Sequence, residues 1–252
     1  MSNLEKLVET IKILRSPNGC DWDRAQTHKT IRQNMLEEAY EAVDAINSDD
    51  TKHLKEELGD VLLQVVLHAQ IAEDEGEFNI EDVAGEINEK LIRRHPHVFG
   101  GLKVSSVDEI LDNWEEIKKQ EKTHRKSALD GISKSQSALM TATKLSKKAV
   151  KVGFEWANID DVWSCLESEI AEFKNAKSFE DKEEEFGDIL FALVNVARWN
   201  KIDPEQALIR SNTKFEKRFR DMEKNATKEL CELSLSEWDE LWQKAKKNTA
   251  EN

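Results

Sequence analysis

The sequence predicts an all-α protein, built as a tandem duplication of a four- to five-helix bundle unit. Three observations carry that expectation. Only three prolines and nine glycines interrupt the 252 residues, so long helices meet few breakers. Apolar residues recur three and four positions apart along most of the chain. An ordered set of acidic, basic and tryptophan residues in the first half also returns in the second, which amphipathic pattern alone would not reproduce.

Leu4, Leu7, Val8, Ile11 and Leu14 make a first amphipathic helix, which the turn Ser16-Pro17-Asn18-Gly19 ends. A linking segment, Cys20 to His28, carries Trp22. The next helix is expected over about 30–47 and another over about 52–75, stopping near Gly76. Asn79 with Asp82 starts a third long helix, which stops near Arg94-His95-Pro96 because the residue before a proline resists helical geometry. His95-Pro96-His97 reads as a loop. Ser106 with Glu109 is a capping box for a helix running through Trp114 to about residue 122.

Residues 124–136 are polar and irregular, and serve as the expected linker between a domain at 1–123 and one at 137–252. Beyond them the pattern repeats. Glu169-Ile170-Ala171-Glu172 and Glu185-Phe186-Gly187-Asp188 restate Glu38-Ala39-Tyr40-Glu41 and Glu57-Leu58-Gly59-Asp60, with the two steps thirteen rather than sixteen positions apart. Lys214 and Arg218 fall where Lys90 and Arg94 stood, Trp242 mirrors Trp114, and Trp156 mirrors Trp22. Helix starts follow at Asp203-Pro204 and at the capping box Ser234 with Glu237.

The acidic steps suggest chemistry. Residues three or four apart share a helix face, so Glu38 points with Glu41 and Glu57 with Asp60, and like charges at that spacing repel. A positive partner is therefore expected. If the link at Ser48-Asp49-Asp50 folds the two helices antiparallel, four carboxylates converge as an oxygen cage suited to magnesium or manganese. Gly59 and Gly187 each sit just before the aspartate although glycine weakens a helix. Either tight helix packing or clearance for a metal or phosphate would explain them.

Composition narrows the field. With 38% hydrophobic and 35% charged residues the chain suits a soluble helical protein, and no apolar run reaches the roughly 18 residues of a membrane span. The N-terminus lacks the order of a signal peptide, so a cytoplasmic protein is expected. Cys20, Cys165 and Cys231 form no CxxC pair and read as reduced thiols. A net charge of -14 argues against binding to a nucleic-acid backbone or an anionic membrane. A single nucleotide escapes that argument, because bound cations and a few local bases can outweigh the global charge.

These residues resemble the MazG nucleoside triphosphate pyrophosphohydrolases. The family pattern EExxE, a spacer and ExxD is matched by Glu37-Glu38-xx-Glu41 with Glu57-xx-Asp60, and by Glu169-xx-Glu172 with Glu185-xx-Asp188, except that Ser168 replaces the leading glutamate. The resemblance implies an all-α dimer that uses a divalent metal to split nucleoside triphosphates into monophosphate and pyrophosphate, with the C-terminal copy the main catalyst. Its intact motif alone would favour the first copy.

Residue chemistry agrees with that implication. Attack between the α- and β-phosphates needs an activated water and neutralisation of a charged leaving group, tasks for carboxylate-held Mg²⁺. Glu169, Glu172, Glu185 and Asp188 are the expected ligands, and Glu184 is the candidate to orient or deprotonate the water. Which carboxylate is the base stays open. A second site is expected at Glu38, Glu41, Glu57 and Asp60. Neither copy has a glycine-rich phosphate loop, so Lys214 and Arg218, with counterparts Lys90 and Arg94, are the candidates for holding phosphates. Trp242 and Trp114 fit base platforms as well as they fit core anchors. Two other classes stand beside the enzyme. A carboxylate di-iron protein would normally add Glu-x-x-His, which both second steps lack. A noncatalytic helical regulator could use one degenerate copy to bind nucleotide.

Overall fold

The computed structural model describes residues 1–121 and 126–249; among them it has twelve α-helices, one 3₁₀ turn and no strand. The all-α expectation holds. The chain divides into two compact units, Met1–Thr123 and His124–Asn252.

In the first unit, α1 (Asn3–Arg15) begins at Ser2, whose hydroxyl accepts from Glu5 N while the Glu5 carboxylate takes the Ser2 N–H. A short α2 (Asp21–Ala25) lies inside the segment expected as a plain link. The centre of the unit is the pair α3 (Arg32–Asn47) and α4 (Thr51–Asp74). Between them, Asp49 turns left-handed at φ 55°, Asp50 N donates back to Ala45 O, and the Asp50 side chain caps α4. So tight a link makes the two helices an antiparallel hairpin. α1 lies along this pair through Ile11, which joins Ile31, Val66, Leu67 and Ile71 in the core. At the far end of α4, Arg15 Nε binds Asp74 Oδ2 at 2.7 Å.

Next come α5 (Ile80–Arg94), capped by Asn79 with Asp82, a short α6 (Pro96–Phe99), and α7 (Val107–Glu121). α6 corrects the expectation of a loop at His95-Pro96-His97. Proline there opens a new turn of helix, since its missing N–H would have been unpaired anyway. The start of α7 also differs. Ser106 Oγ does accept from Glu109 N, but the Glu109 carboxylate turns to Ser105 N and Oγ instead of closing the box on Ser106. The residue expected to end this helix, 122, lies outside the described residues.

In the second unit, Lys148 Nζ on α8 (Ala138–Val150) holds Asp130 O at 2.9 Å, within the stretch expected as linker, whose first two positions lie outside the described residues. The central pair is α9 (Ile159–Asn175) and α10 (Phe179–Trp199), again joined by three residues. Their core is Val162, Leu166, Ala192 and Val196, with Trp156 and Trp199 packed against it. α11 (Pro204–Asn225), a 3₁₀ turn (Leu230–Glu232) and α12 (Leu235–Asn248) complete it, with Asp203 and Ser234 as caps. The duplication extends to helix ends. Gly76 after α4 and Lys201 after α10 both adopt positive φ, and the next residue donates back into the helix, Glu77 N to Ala72 O and Ile202 N to Ala197 O.

Candidate metal and nucleotide site

Each central hairpin brings glutamates from two helices together. In the second unit Glu169 and Glu172 of α9 and Glu185 of α10 place one carboxylate oxygen each within 4.8 Å of one another. Burial, and after it the neighbouring carboxylates Glu172 and Asp188, push the Glu169 carboxyl above its usual range. Glu185 is raised in the same way, by burial and then by Glu172, Glu169, Asp188 and Glu184. Asp188 and Glu184 thus lie in the field of the cluster, exposed and outside its tight group of three. Two further side chains one turn back on α9 touch the ligand candidates: Ser168 Oγ donates to Glu172 Oε1 at 2.9 Å, and Cys165 Sγ lies 3.9 Å from Glu169 Oε1. Residue-type reasoning treated Ser168 only as a departure from the acidic pattern. Its four-residue spacing from Glu172 was the available signal.

In the first unit Glu38 and Glu41 of α3 meet Glu57 of α4 within the same 4.8 Å, again with Asp60 outside the group. Glu57 is only 6% exposed, and while its Oε1 lies 2.9 Å from His53 Nε2, its Oε2 is buried with no hydrogen-bond partner. A buried carboxylate oxygen without a partner loses its hydration uncompensated, a cost that a cation would relieve. Burial comes first in raising Glu57; Glu41 adds to it and His53 opposes it. Glu38 is raised by burial and then by Asp60, Glu41, Glu57 and Glu37. Sets of hard oxygen donors, crowded and short of positive charge, fit a divalent cation such as Mg²⁺ or Mn²⁺. Packing among the described residues does not explain Gly59 or Gly187, because a Cβ added at either would meet no atom within 4 Å outside its own stretch of helix.

The basic and aromatic candidates lie on the following helices. Arg218 of α11 donates from Nε to Thr249 Oγ1 at 3.3 Å and sits 5.7 Å from the Trp242 ring centroid, a cation–π distance. Trp242 also meets Phe215 at 5.6 Å, and with Phe219 and Trp238 the two rings line a groove of about 350 Å³. Lys214 is exposed, one turn before Arg218. The counterparts differ. Arg94 is only 14% exposed and bound to Glu121, and Trp114 lies beneath Lys118 with its Nε1 buried and unpaired. Lys90 lines a separate groove of about 370 Å³ along α5 with Phe78 and Glu86.

Helical hairpins that converge three glutamates each, with a helix carrying lysine and arginine after each, define a class of all-α proteins with carboxylate clusters suited to divalent cations. Residues 26–99, spanning the first hairpin, match the MazG nucleotide pyrophosphohydrolase domain. The chain is 47% identical over 246 residues to the nucleoside triphosphate pyrophosphohydrolase/pyrophosphatase MazG of Thermotoga maritima, covering 96% of this chain and 95% of that protein. It is 41% identical over 258 residues to the nucleoside triphosphate pyrophosphohydrolase of Escherichia coli K12, covering 98% of each. A crystal structure of a mazG-related protein from Thermotoga maritima aligns with a TM-score of 0.40 and 30% identity, over 46% of this chain and 98% of that one. The chain belongs to the MazG family of nucleotide pyrophosphohydrolases.

Proposed function

We propose that this protein hydrolyses nucleoside triphosphates to nucleoside monophosphate and pyrophosphate, with Mg²⁺ as its metal and the second unit as its main catalytic copy. The observation that carries this is the convergence of Glu169, Glu172 and Glu185 within 4.8 Å, in the unit whose Arg218 makes no ion pair among the described residues.

Glu169, Glu172 and Glu185, with Asp188 beside them, would hold the metal. When bound, the ion polarises phosphoryl oxygens and makes water a better nucleophile. Ser168 keeps Glu172 oriented through its 2.9 Å hydrogen bond. Glu184, exposed at the rim of the cluster, orients the attacking water or takes its proton. Arg218 offers a planar fork to phosphate oxygens, and Lys214 one turn away offers a compact charge to the leaving pyrophosphate. Trp242 stacks on the base, a contact indifferent to base identity, which supports a broad substrate range and a housekeeping role in the nucleotide pool. The Glu38, Glu41, Glu57 and Asp60 set, with Lys90, Arg94 and Trp114, forms the second and weaker site.

Each unit is taken as one MazG-like domain, with 124–136 as the linker. A homodimer is supported by Phe186, Leu190 and Leu193, which stay 52%, 43% and 44% exposed along α10. No helix among the described residues is long and apolar enough to cross a membrane. The acidic net charge supports a protein that does not bind nucleic acid, and a cytoplasmic location is proposed with it.

The test is product analysis by phosphorus NMR after incubation with a nucleoside triphosphate and Mg²⁺. Monophosphate and pyrophosphate, absent when the metal is chelated, are expected. Diphosphate and inorganic phosphate would overturn the assignment.

A further inference from the structure

Counted from the tryptophan of each unit, Trp114 and Trp242, the residue seven places on is Glu121 in the first and Thr249 in the second. Both meet the arginine of the preceding long helix, Arg94 of α5 and Arg218 of α11. Glu121 uses both of its oxygens: Arg93 Nε donates to Oε1 at 2.7 Å, Arg94 Nε donates to Oε2 at 3.1 Å, and Arg94 Nη2 contacts the same oxygen. Glu121 is 19% and Arg94 14% exposed, so the pair is shielded enough to be tight and screened little by salt. Arg218, by contrast, donates among the described residues only to the neutral hydroxyl of Thr249, at 3.3 Å, and lies over the Trp242 ring.

We infer that Glu121 is a built-in block on nucleotide binding in the first unit: its carboxylate occupies the guanidinium that a phosphate would need, and Thr249 leaves the equivalent guanidinium open in the second. This rests on the assignment of Arg218 to phosphate capture. The physical argument has two parts. A phosphate arriving at Arg94 must displace a carboxylate that already bridges Arg93 and Arg94 in a shielded place. It must also approach that carboxylate's negative charge, and such a repulsive element is an effective means of refusing a ligand. The block also accounts for a first unit that keeps the full acidic motif and a three-glutamate cluster without serving as the main catalyst. It would hold metal there and decline the triphosphate.

The experiment measures binding of a nonhydrolysable α,β-methylene triphosphate to the full chain in Mg²⁺ by isothermal titration calorimetry. Arg218→Ala should remove the principal binding event. Glu121→Thr added to it should bring back an equivalent of bound nucleotide per chain, at least about tenfold tighter than Arg218→Ala alone. Glu121→Gln, which keeps the size of the side chain and some of its hydrogen bonds, should do the same should the threonine variant fold poorly. Loss of binding in Arg218→Ala with no recovery in either double variant overturns the block while leaving the role of Arg218 intact. Undiminished binding in Arg218→Ala overturns the phosphate role of Arg218, and the block with it.

Discussion

Ser168 Oγ donates to Glu172 Oε1 across one turn of α9, at 2.9 Å, from the position where the first unit has Glu37. A serine there trades a carboxylate for a fixed orientation of its neighbour. Partners that orient metal-binding carboxylates typically change metal affinity by 10–100-fold when removed. Ser168→Ala is therefore expected to raise the Mg²⁺ concentration for half-maximal activity about tenfold, with turnover at saturating metal largely kept. Ser168→Thr keeps the hydroxyl and should behave like the parent. A metal titration in which alanine and parent coincide would show that the hydrogen bond does not matter to the site.

The two clusters are expected to contribute unequally to turnover. Glu172→Gln with Asp188→Asn strips charge from the second unit's cluster and should abolish hydrolysis. Glu41→Gln with Asp60→Asn makes the matching change in the first unit and should spare most of it. Steady-state assays of the two double variants decide the matter, and equal loss in both would mean two working sites.

How much of this was legible from residues follows from the range of each interaction. Helix starts written within four residues, such as Asp203-Pro204 and Ser234 with Glu237, were readable, because the capping side chain and the N–H it accepts are neighbours in sequence. The acidic pairs were readable for the same reason and because they recur. What the sequence could not show are contacts set by packing. Arg94 and Glu121 are 27 positions apart. His28 and His68, 40 apart, meet at 2.7 Å between Nδ1 atoms, although the histidines show no ligand spacing along the chain except at His95-Pro96-His97. The short helices α2 and α6 escaped because four or five residues are too few for a periodic pattern.

Stability of the metal-free protein should rise as the solution is made mildly acidic. Glu38, Glu57, Glu169 and Glu185 are all raised above 4.5 in the folded state, by burial first and then by neighbouring carboxylates. A group raised on folding handicaps the folded state above its folded value, and the handicap is lost as the pH falls through that value toward 4.5. Glu121 and Glu237 work in the opposite sense. Each is lowered to about 2 by its hydrogen bonds, Glu121 to Arg94 and Arg93, Glu237 to Ser234 and Lys228. Their contribution is full above 4.5 and fades as the pH falls toward 2. Calorimetry in chelator should therefore show a melting maximum on the acid side of neutrality. Saturating Mg²⁺ should raise the neutral melting point and flatten the limb between the two. A chelated protein that melts highest at neutral pH would contradict the repulsion inferred for both clusters.

Gly59 and Gly187 separate folding from function most sharply. Each lies inside a long helix, where glycine costs about 1 kcal/mol relative to alanine, and among the described residues nothing outside its own stretch of helix comes within 4 Å of where a Cβ would project. Folding of the chain alone should thus gain from Gly187→Ala by about 1 kcal/mol, read as a higher denaturation midpoint. If the open space beside Asp188 is where metal-bound phosphate approaches the backbone, the same variant should bind triphosphate more weakly and raise KM. Gly59→Ala should gain similar stability with turnover nearly unchanged, because the second unit is the proposed main catalytic copy. A Gly187→Ala protein that is more stable and fully active would remove the case for clearance. One that is less stable would mean that the glycine answers to packing at that point instead of catalysis.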